Sequence, residues 1–258
     1  MKITTWNVNS LTARLQHVLD WLAINPVDLL CLQELKMTDD KFPLEALRSA
    51  GYEAAFFGQK TYNGVAILSR TPLRDVVKNI TGFEDEHSRV ITATMDSPAG
   101  EIRVMNGYFV NGQALGSEKF AYKMRWLSGL QAYVQAEMAA HPRLVLLGDF
   151  NITPEDRDSF DPDGLRETIH HSTVEREQLK QLLALGLTDS FRMFEQAPKS
   201  FSWWDYRMLG YQKNRGLRID LLLVSDALKG LVKSCNIDRV PRKCEKPSDH
   251  APVTVHIG

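Results

Sequence analysis

The sequence predicts an α/β protein in which two mixed sheets pack face to face with helices outside. Three observations carry that expectation. Apolar runs such as Leu29-Leu30-Cys31-Leu32 and Leu144-Val145-Leu146-Leu147 read as strands buried on both faces. Amphipathic stretches alternate with them, as where Leu15, Val18, Leu19 and Leu22 recur at helical spacing. In the middle of the chain the period shortens to successive strands with turn residues between them, too hairpin-like for a doubly wound parallel sheet.

In chain order, Ile3 to Val8 reads as a strand and Leu11 to Ala23 as a helix that stops near Asn25-Pro26. Val27 to Glu34 is a second strand, and Phe42 to Ala50 a short helix ended by Gly51. Tyr52 to Phe57, Asn63 to Leu68, Val90 to Met95 and Ile102 to Val110 follow as strands, with turns at Gly58, Ser69-Arg70-Thr71-Pro72 and Ser97-Pro98-Ala99-Gly100. Ser117 to Ala139 is the longest helix, with Ser117 as its cap. Leu144 to Leu147 is a strand, Glu175 to Leu185 a helix, and Phe201 to Tyr206, Leu217 to Val224 and Pro252 to Ile257 are strand-like.

With 258 residues and no tandem repeat, low-complexity tract or Gly/Ser/Pro-rich linker, residues 1–258 read as one domain, with a monomer as the default. The first residues already form a strand pattern. No leader peptide or bilayer-length apolar run is visible, so the expectation is an intracellular, cytoplasmic protein without membrane contact. Cys31, Cys235 and Cys244 show no zinc spacing, which argues against soft-metal and redox chemistry. A net charge of −1 gives no support to a generally basic nucleic-acid binder. Basic residues nevertheless crowd an aromatic-rich stretch at Lys199, Arg207, Lys213, Arg215 and Arg218, followed by Arg239, Arg242, Lys243 and Lys246. That distribution fits either a local phosphate-binding face or ordinary solvated charge.

The chemistry-bearing groups sit at the ends of apolar runs: Asn7 and Asn9, Glu34, Tyr108 and Asn111, Asp149 and Asn151, Asp220, and Asp249 with His250. Glu34 follows a buried strand, and oxygen donors there with Asn7 and Asp249 suit Mg²⁺ or Mn²⁺, which take few protein carboxylates. Standing alone, Glu34 equally reads as a strand-terminal acid facing water. In Gly148-Asp149-Phe150-Asn151 an acid and an amide two residues apart point the same way, so one can take a proton while the other holds a phosphate oxygen; a turn or cap is the competing reading. Asp220 is a partner that can orient His250 and favour its charged form. Tyr108 adds a phenol able to bind phosphate or share protons. Trp203, among basic residues, reads as either core or DNA-stacking, and Trp204 as core.

Together these segments carry a resemblance. Thr5-Trp6-Asn7-Val8-Asn9, Leu32-Gln33-Glu34, Tyr62-Asn63-Gly64-Val65-Ala66-Ile67-Leu68-Ser69-Arg70, Gly148-Asp149-Phe150-Asn151, Asn214-Arg215-Gly216-Leu217-Arg218-Ile219-Asp220 and Pro247-Ser248-Asp249-His250-Ala251-Pro252 resemble, in order, the exonuclease III family of abasic-site endonucleases, within the deoxyribonuclease I-like phosphoesterases. The block ending at Asp220 narrows the likeness to exonuclease III-like enzymes. The resemblance implies a four-layer α/β sandwich and Mg²⁺-dependent hydrolysis in DNA repair, on double-stranded DNA with abasic sites or damaged or recessed 3′ ends. It implies Glu34 as principal metal ligand with Asn7, Asn9 and Asp249 close by, Asp149 as the group activating water, and Asn151 holding the scissile phosphate. Asp220 with His250, and Tyr108 with Asn111 and Asn7, would line the same phosphate site. Trp203, Leu217 and Ile219 would form an apolar pocket for an extruded sugar, with Arg215 beside them as a DNA contact.

Two further expectations follow. His170 and His171, in the loop after Asn151, are bulky enough to restrict an internal abasic nucleotide while tolerating a frayed 3′ end; ordinary surface histidines are the competing reading. The activity would then shift toward 3′-end processing with little internal incision. A lipid or inositol phosphatase and a catalytically dead DNA-binding module are the rival classes. The Trp203 pocket and the Arg215 to Arg218 block argue against the first, and the full set of acids, amides and imidazole against the second.

Overall fold

The computed structural model describes residues 1–98 and 100–258. The elements run β1 (Lys2–Asn7), α1 (Leu11–Ile24), β2 (Leu29–Gln33), α2 (Leu44–Ser49), β3 (Glu53–Phe57), β4 (Val65–Ser69), β5 (Leu73–Lys78), β6 (Val90–Ser97), β7 (Gly100–Tyr108), α3 (Glu118–Ala140) and β8 (Leu144–Asp149). They continue with α4 (Thr173–Leu183), β9 (Leu187–Asp189), β10 (Trp203–Trp204), β11 (Gly216–Leu217), β12 (Asp220–Ser225), α5 (Asp226–Lys229), β13 (Val232–Ile237) and β14 (Val253–Ile257). One six-stranded sheet has the order β13-β14-β1-β2-β4-β3 and the other β5-β6-β7-β8-β12-β9, with β10 and β11 as a separate ribbon.

Side-chain alternation produces the layers. In β2, Leu29 and Cys31 enter the core between the sheets, where they meet Val104, Val145, Leu147 and Leu222 of the second sheet. Leu30 and Leu32 point the other way, onto Trp21 and Leu22 of α1 and Leu47 of α2. The second sheet repeats this. Leu144, Leu146 and Leu223 back onto Trp126, Leu130 and Val134 of α3 and Leu179 of α4. The result is helix, sheet, sheet, helix, the four-layer sandwich expected. Each fully buried aliphatic side chain contributes roughly 1.5–3 kcal/mol of transfer free energy. Helix ends are fixed locally. Ser117 Oγ accepts from the Phe120 amide, and Ser172 with Glu175 closes a capping box on α4.

Three strands, β5, β9 and β13, were not anticipated, and all three are sheet edges. Their sequences alternate with polar residues or are very short, and β5 is largely solvent-exposed, so the apolar signal of a central strand is missing. The strand expected over Phe201–Tyr206 shrinks to Trp203–Trp204, and that over Leu217–Val224 breaks into β11 and β12. At the expected Ser97-Pro98-Ala99-Gly100 turn, Ser97 pairs with Gly100, and Ala99 lies outside the described residues.

The register places the chemistry. β1 and β2 are parallel and end together at Asn7 and Gln33. β7 and β8 are parallel and end together at Tyr108 and Asp149. β12 is antiparallel to β8 and starts at Asp220, opposite Asp149. All these ends lie on one edge of the sandwich, where open α/β sheets take ligands. Just beneath, Gln33 donates to Thr5 Oγ1 and Asn106 Oδ1, and Asn106 Nδ2 donates to the Leu32 and Ala66 carbonyls, joining the two sheets. Gly148 has φ +140, and a Cβ there would lie 1.8 Å from the Gly107 carbonyl oxygen. Only glycine lets β8 approach β7 this closely beside Asp149.

Candidate active site

The loops leave the strands through strained backbone. Asn9 (φ 45), Glu34 (φ 55), Lys36 (φ 54), Asn151 (φ 49) and His170 (φ 70) all adopt left-handed conformations that L-residues normally avoid. Such residues persist where surrounding contacts over-determine them, and those contacts build the site.

On the side of the first sheet, Glu34 Oε1 accepts from Asn7 Nδ2 at 2.9 Å and Oε2 pairs with Lys36 Nζ at 2.8 Å. Lys36 Nζ also donates to Asn9 Oδ1 at 2.5 Å, and Asn9 Nδ2 donates to Asp249 Oδ1 at 2.9 Å. Asp249 Oδ2 accepts from Trp203 Nε1 at 3.0 Å. Glu34, Asn7, Asn9 and Asp249 thus fall on one continuous chain of contacts, with Lys36 in the middle. No signal in the sequence beyond its spacing from Glu34 singled out Lys36.

On the side of the second sheet, Asp149 is 1% exposed. Its Oδ2 accepts from Asn7 Nδ2 at 2.9 Å and from Asn151 Nδ2 at 3.3 Å, and Oδ1 accepts from the Asn151 amide at 3.0 Å. His250 Nδ1 lies 2.9 Å from Asp220 Oδ2, and Nε2 lies 3.7 Å from Asp149 Oδ2. Asn111 Nδ2 donates to Asn151 Oδ1 at 3.1 Å.

Electrostatics assign protonation states. For His250, burial disfavours the imidazolium, but the carboxylates of Asp220 and Asp149 outweigh it and push the group up to about 10. Burial raises Asp149 to about 7, against the pull of the His250 cation and with help from Asp220 and Glu34. Burial, with Glu34 and Asp149 nearby, holds the Tyr108 phenol well above its usual value, so it stays a proton donor. His250 is therefore a charged hydrogen-bond donor, and Asp149 a carboxylate that can take a proton near neutrality.

Glu34, Asp149 and His250 place potential ligand atoms within 4.8 Å of one another. The charged imidazole has no free lone pair, so the donors left for a divalent cation are the carboxylates of Glu34 and Asp149; Asn7 turns its Nδ2 to both, while its Oδ1 accepts the Asn9 amide. Carboxylates are hard oxygen donors of the kind Mg²⁺ and Mn²⁺ take.

Beyond Asn111 a cavity of about 980 Å³ opens, with Trp203, Leu217, Phe160, His170, Met208 and Arg215 in its walls. Trp203 and Leu217 face each other across the β10–β11 ribbon. Ile219 is 2% exposed and does not line this cavity, and Trp204 is core. A second cavity of about 630 Å³ lies on the other flank of Asn111, walled by Tyr108, Arg89, His87, Tyr62 and Lys119.

The two histidines part company. His171 turns inward to Ser159 Oγ at 2.9 Å. His170 packs its Nδ1 against the Asn151 carbonyl at 2.6 Å, with Nε2 3.4 Å from Asn111 Nδ2. Burial lowers His170 to about 3, helped by the neighbouring Lys123 cation, so it is a neutral ring in the cavity wall. Arg218, grouped in the sequence with the DNA-facing basic residues, is instead a buried structural cation held by Asp158 and Asp189. Arg239 and Arg242 lie over the Trp204 and Tyr211 rings.

Comparisons with known proteins agree with this geometry. Residues 4–250 match the model of the Endonuclease/Exonuclease/phosphatase family. The chain is 36% identical to the exodeoxyribonuclease III of Haemophilus influenzae, over 98% of each chain. It is 33% identical to the DNA repair nuclease APEX1 of Danio rerio, over 100% of this chain and 82% of the relative. Among solved structures, a variant of the 3′ phosphatase NExo from Neisseria bound to product DNA hairpin superposes with a TM-score of 0.97 at 49% identity, covering 100% of this chain and 99% of that one. An AP endonuclease from Archaeoglobus fulgidus superposes at 0.94 with 35% identity and the same coverage. The chain belongs to the Endonuclease/Exonuclease/phosphatase family, in its exodeoxyribonuclease III-like branch.

Proposed function

We propose that this chain is a hydrolytic DNA-repair nuclease that cleaves phosphodiester bonds at abasic sites and at 3′ ends. The observation that carries this reading is the buried Asp149 carboxylate, held by Asn7 and Asn151 and faced by the His250 cation, beside a cavity of about 980 Å³ whose wall includes Asn111, the hydrogen-bond partner of Asn151. Family membership and the relatives above support it.

In this reading Asp149 takes the proton from the attacking water. Asn111 and Asn151 hold phosphate oxygens, and His250 donates from Nε2 to the oxygen that gains charge, its ring fixed through Nδ1 by Asp220. Tyr108 adds a phenolic donor. Trp203 and Leu217 shelter the extruded sugar, whose flipping costs least where pairing and stacking are already lost. The family is metal-dependent, and Mg²⁺, with Mn²⁺ as substitute, is the ion proposed, held at Glu34 with Asn7 and with Asn9 and Asp249 beside it. When bound, it neutralises phosphate charge. The proposed partner is double-stranded DNA with abasic sites or damaged or recessed 3′ ends, bound by a monomer in the cytoplasm. No helix among the described residues is long and apolar enough to cross a membrane.

The narrower reading, 3′-end processing with little internal incision, is not favoured by the comparisons, which include enzymes of both kinds. The test is digestion of three duplexes, with an internal abasic analogue, a 3′-phosphate and a plain recessed 3′ end, in Mg²⁺, in Mn²⁺ and in chelator. Cleavage that survives chelation, or no cleavage of any duplex with either ion, removes the assignment.

A further inference from the structure

Beneath the phosphate side of the site lies an ion pair that the chemistry above does not use. Lys123, on the inner face of α3, and Glu175, in the first turn of α4, are both 0% exposed, with Nζ 2.5 Å from Oε1. A buried pair of this kind is poorly explained by stability, because the cost of desolvating two charges commonly cancels their attraction, and apolar replacements often do as well. Its hydrogen bonds point elsewhere. Lys123 Nζ donates to the Asn111 carbonyl at 3.1 Å and the Asn151 carbonyl at 2.8 Å. Glu175 Oε1 accepts the His170 amide at 3.2 Å, and Oε2 accepts the Ser172 amide at 3.2 Å.

Three stretches from two loops, the start of the β7–α3 connection and both ends of the β8–α4 connection, therefore converge on one charge pair. Two of them carry the amides facing the phosphate, and the third carries the ring in the cavity wall. Gly112, next to Asn111, lies so close that a Cβ there would meet Lys123 Cδ at 3.0 Å. Asn151 is held at φ 49, a left-handed conformation that a non-glycine residue keeps only where its surroundings impose it. The side chains of Asn111 and Asn151 also touch each other, so a shift in either carbonyl moves both amides.

We infer that Lys123, with Glu175 as its counter-charge, is a positioning residue for phosphate-ester hydrolysis, setting the Asn111 and Asn151 amides and the His170 ring relative to Asp149. This rests on the nuclease reading above. Burial lowers the Lys123 pKa and the Glu175 carboxylate opposes that, consistent with an ammonium whose hold on the carbonyls depends on its partner. Glu34, Asn9 and Asp249 make no hydrogen bond with this pair, and Asp149 is joined to it by hydrogen bonds only through Asn151.

The test uses the double variant Lys123→Met, Glu175→Gln, which removes both charges while glutamine can still close the capping box. Substrates are the 3′-phosphate and abasic-analogue duplexes, and Mn²⁺ affinity is titrated in parallel. The expected result is a folded protein whose kcat falls roughly tenfold or more, as misplaced substrate-positioning groups cause, with a smaller change in KM and unchanged Mn²⁺ affinity. Lys123→Arg, which keeps the charge and donors, should retain more kcat than Lys123→Met. A folded double variant with wild-type kcat overturns the inference, as does a parallel loss of kcat and Mn²⁺ affinity, which would mark general loosening. If the double variant does not fold, Glu175→Gln alone is read in the same way. Wild-type inactivity on both duplexes would instead refute the nuclease reading.

Discussion

The two sheets contribute unlike halves to the site. The half built on β1 and β2 is a relay of charged and amide groups, Glu34, Lys36, Asn9 and Asp249, with the side chains of Glu34 and Lys36 16% and 29% exposed. The half built on β7, β8 and β12 is dry: Asp149 and Asp220 are nearly fully buried, as is His250, which reaches across from the segment before β14 of the first sheet. The difference teaches how one protein separates two tasks. A cation and its water shell need accessible oxygen donors and negative charge. A carboxylate that must take a proton near neutral pH needs the opposite, a desolvated position that raises its pKa.

Removing Asp149 should break this division most severely. Asp149→Asn keeps the shape but puts an NH2 where one carboxylate oxygen accepts and cannot take a proton, and single-turnover cleavage should slow ~10²-fold or more. Near-normal turnover would take the base role away from the second-sheet half.

Glu34→Gln tests the other half. The Mg²⁺ concentration for half-maximal activity should rise by roughly tenfold or more, in keeping with losses seen on disturbing metal sites, while DNA affinity measured in chelator stays close to that of the wild type. An unchanged Mg²⁺ requirement would show that the cation sits elsewhere.

The pH profile sharpens the contrast. Asp149 acts when deprotonated, so kcat/KM should rise with pH through an acid limb at or below about 7, the bound cation moving that limb lower. His250 acts when protonated, so the plateau should persist until about 10 and only then fall. The same sign governs stability. The raised His250 pKa contributes fully below its unfolded value of about 6.5, and that contribution is lost as pH rises through about 10. An alkaline fall in rate well short of that value, traceable to His250 by its absence in a His250→Gln variant, would show that Asp220 does not hold the imidazolium.

The smallest expected change concerns the cavity wall shared by the two halves. His170→Gly should raise incision at an internal abasic analogue several-fold relative to removal of a 3′-phosphate, because the neutral ring occupies space beside Asn111 and Asn151. His171→Gly should shift that ratio less, since this ring lines the same cavity but is tied to Ser159 rather than to Asn111 and Asn151. An unchanged ratio in the His170 variant would assign that ring a purely structural part.

Much of the second-sheet half could be read along the chain. Asp149 and Asn151 stand two apart in the chain, and they meet through a turn at the end of β8, with Asn151 at φ 49 and its amide bonded back to Asp149, rather than along the extended backbone expected. Asp220 as the partner of His250 was also legible, because a buried imidazole next to strand-end acids needs an orienting carboxylate. Central strands were visible because burial on both faces leaves an unbroken apolar run, whereas the edge strands β5, β9 and β13 carry no such run.

What the sequence determined by itself was local: which segments are apolar enough to be central strands, which helices are capped, and which strand ends carry acids, amides and an imidazole. Periodicity, capping and side-chain chemistry act over a few residues, so they are written in the order of the letters. The closed sandwich settled the non-local features. It separated His170 from His171, took Arg218 out of the DNA-facing set and placed it between Asp158 and Asp189, set Lys36 against Glu34, and brought Lys123 under two loops. Those outcomes depend on desolvation and on partners delivered by elements distant in the chain, and both exist only once the sheets have closed on each other.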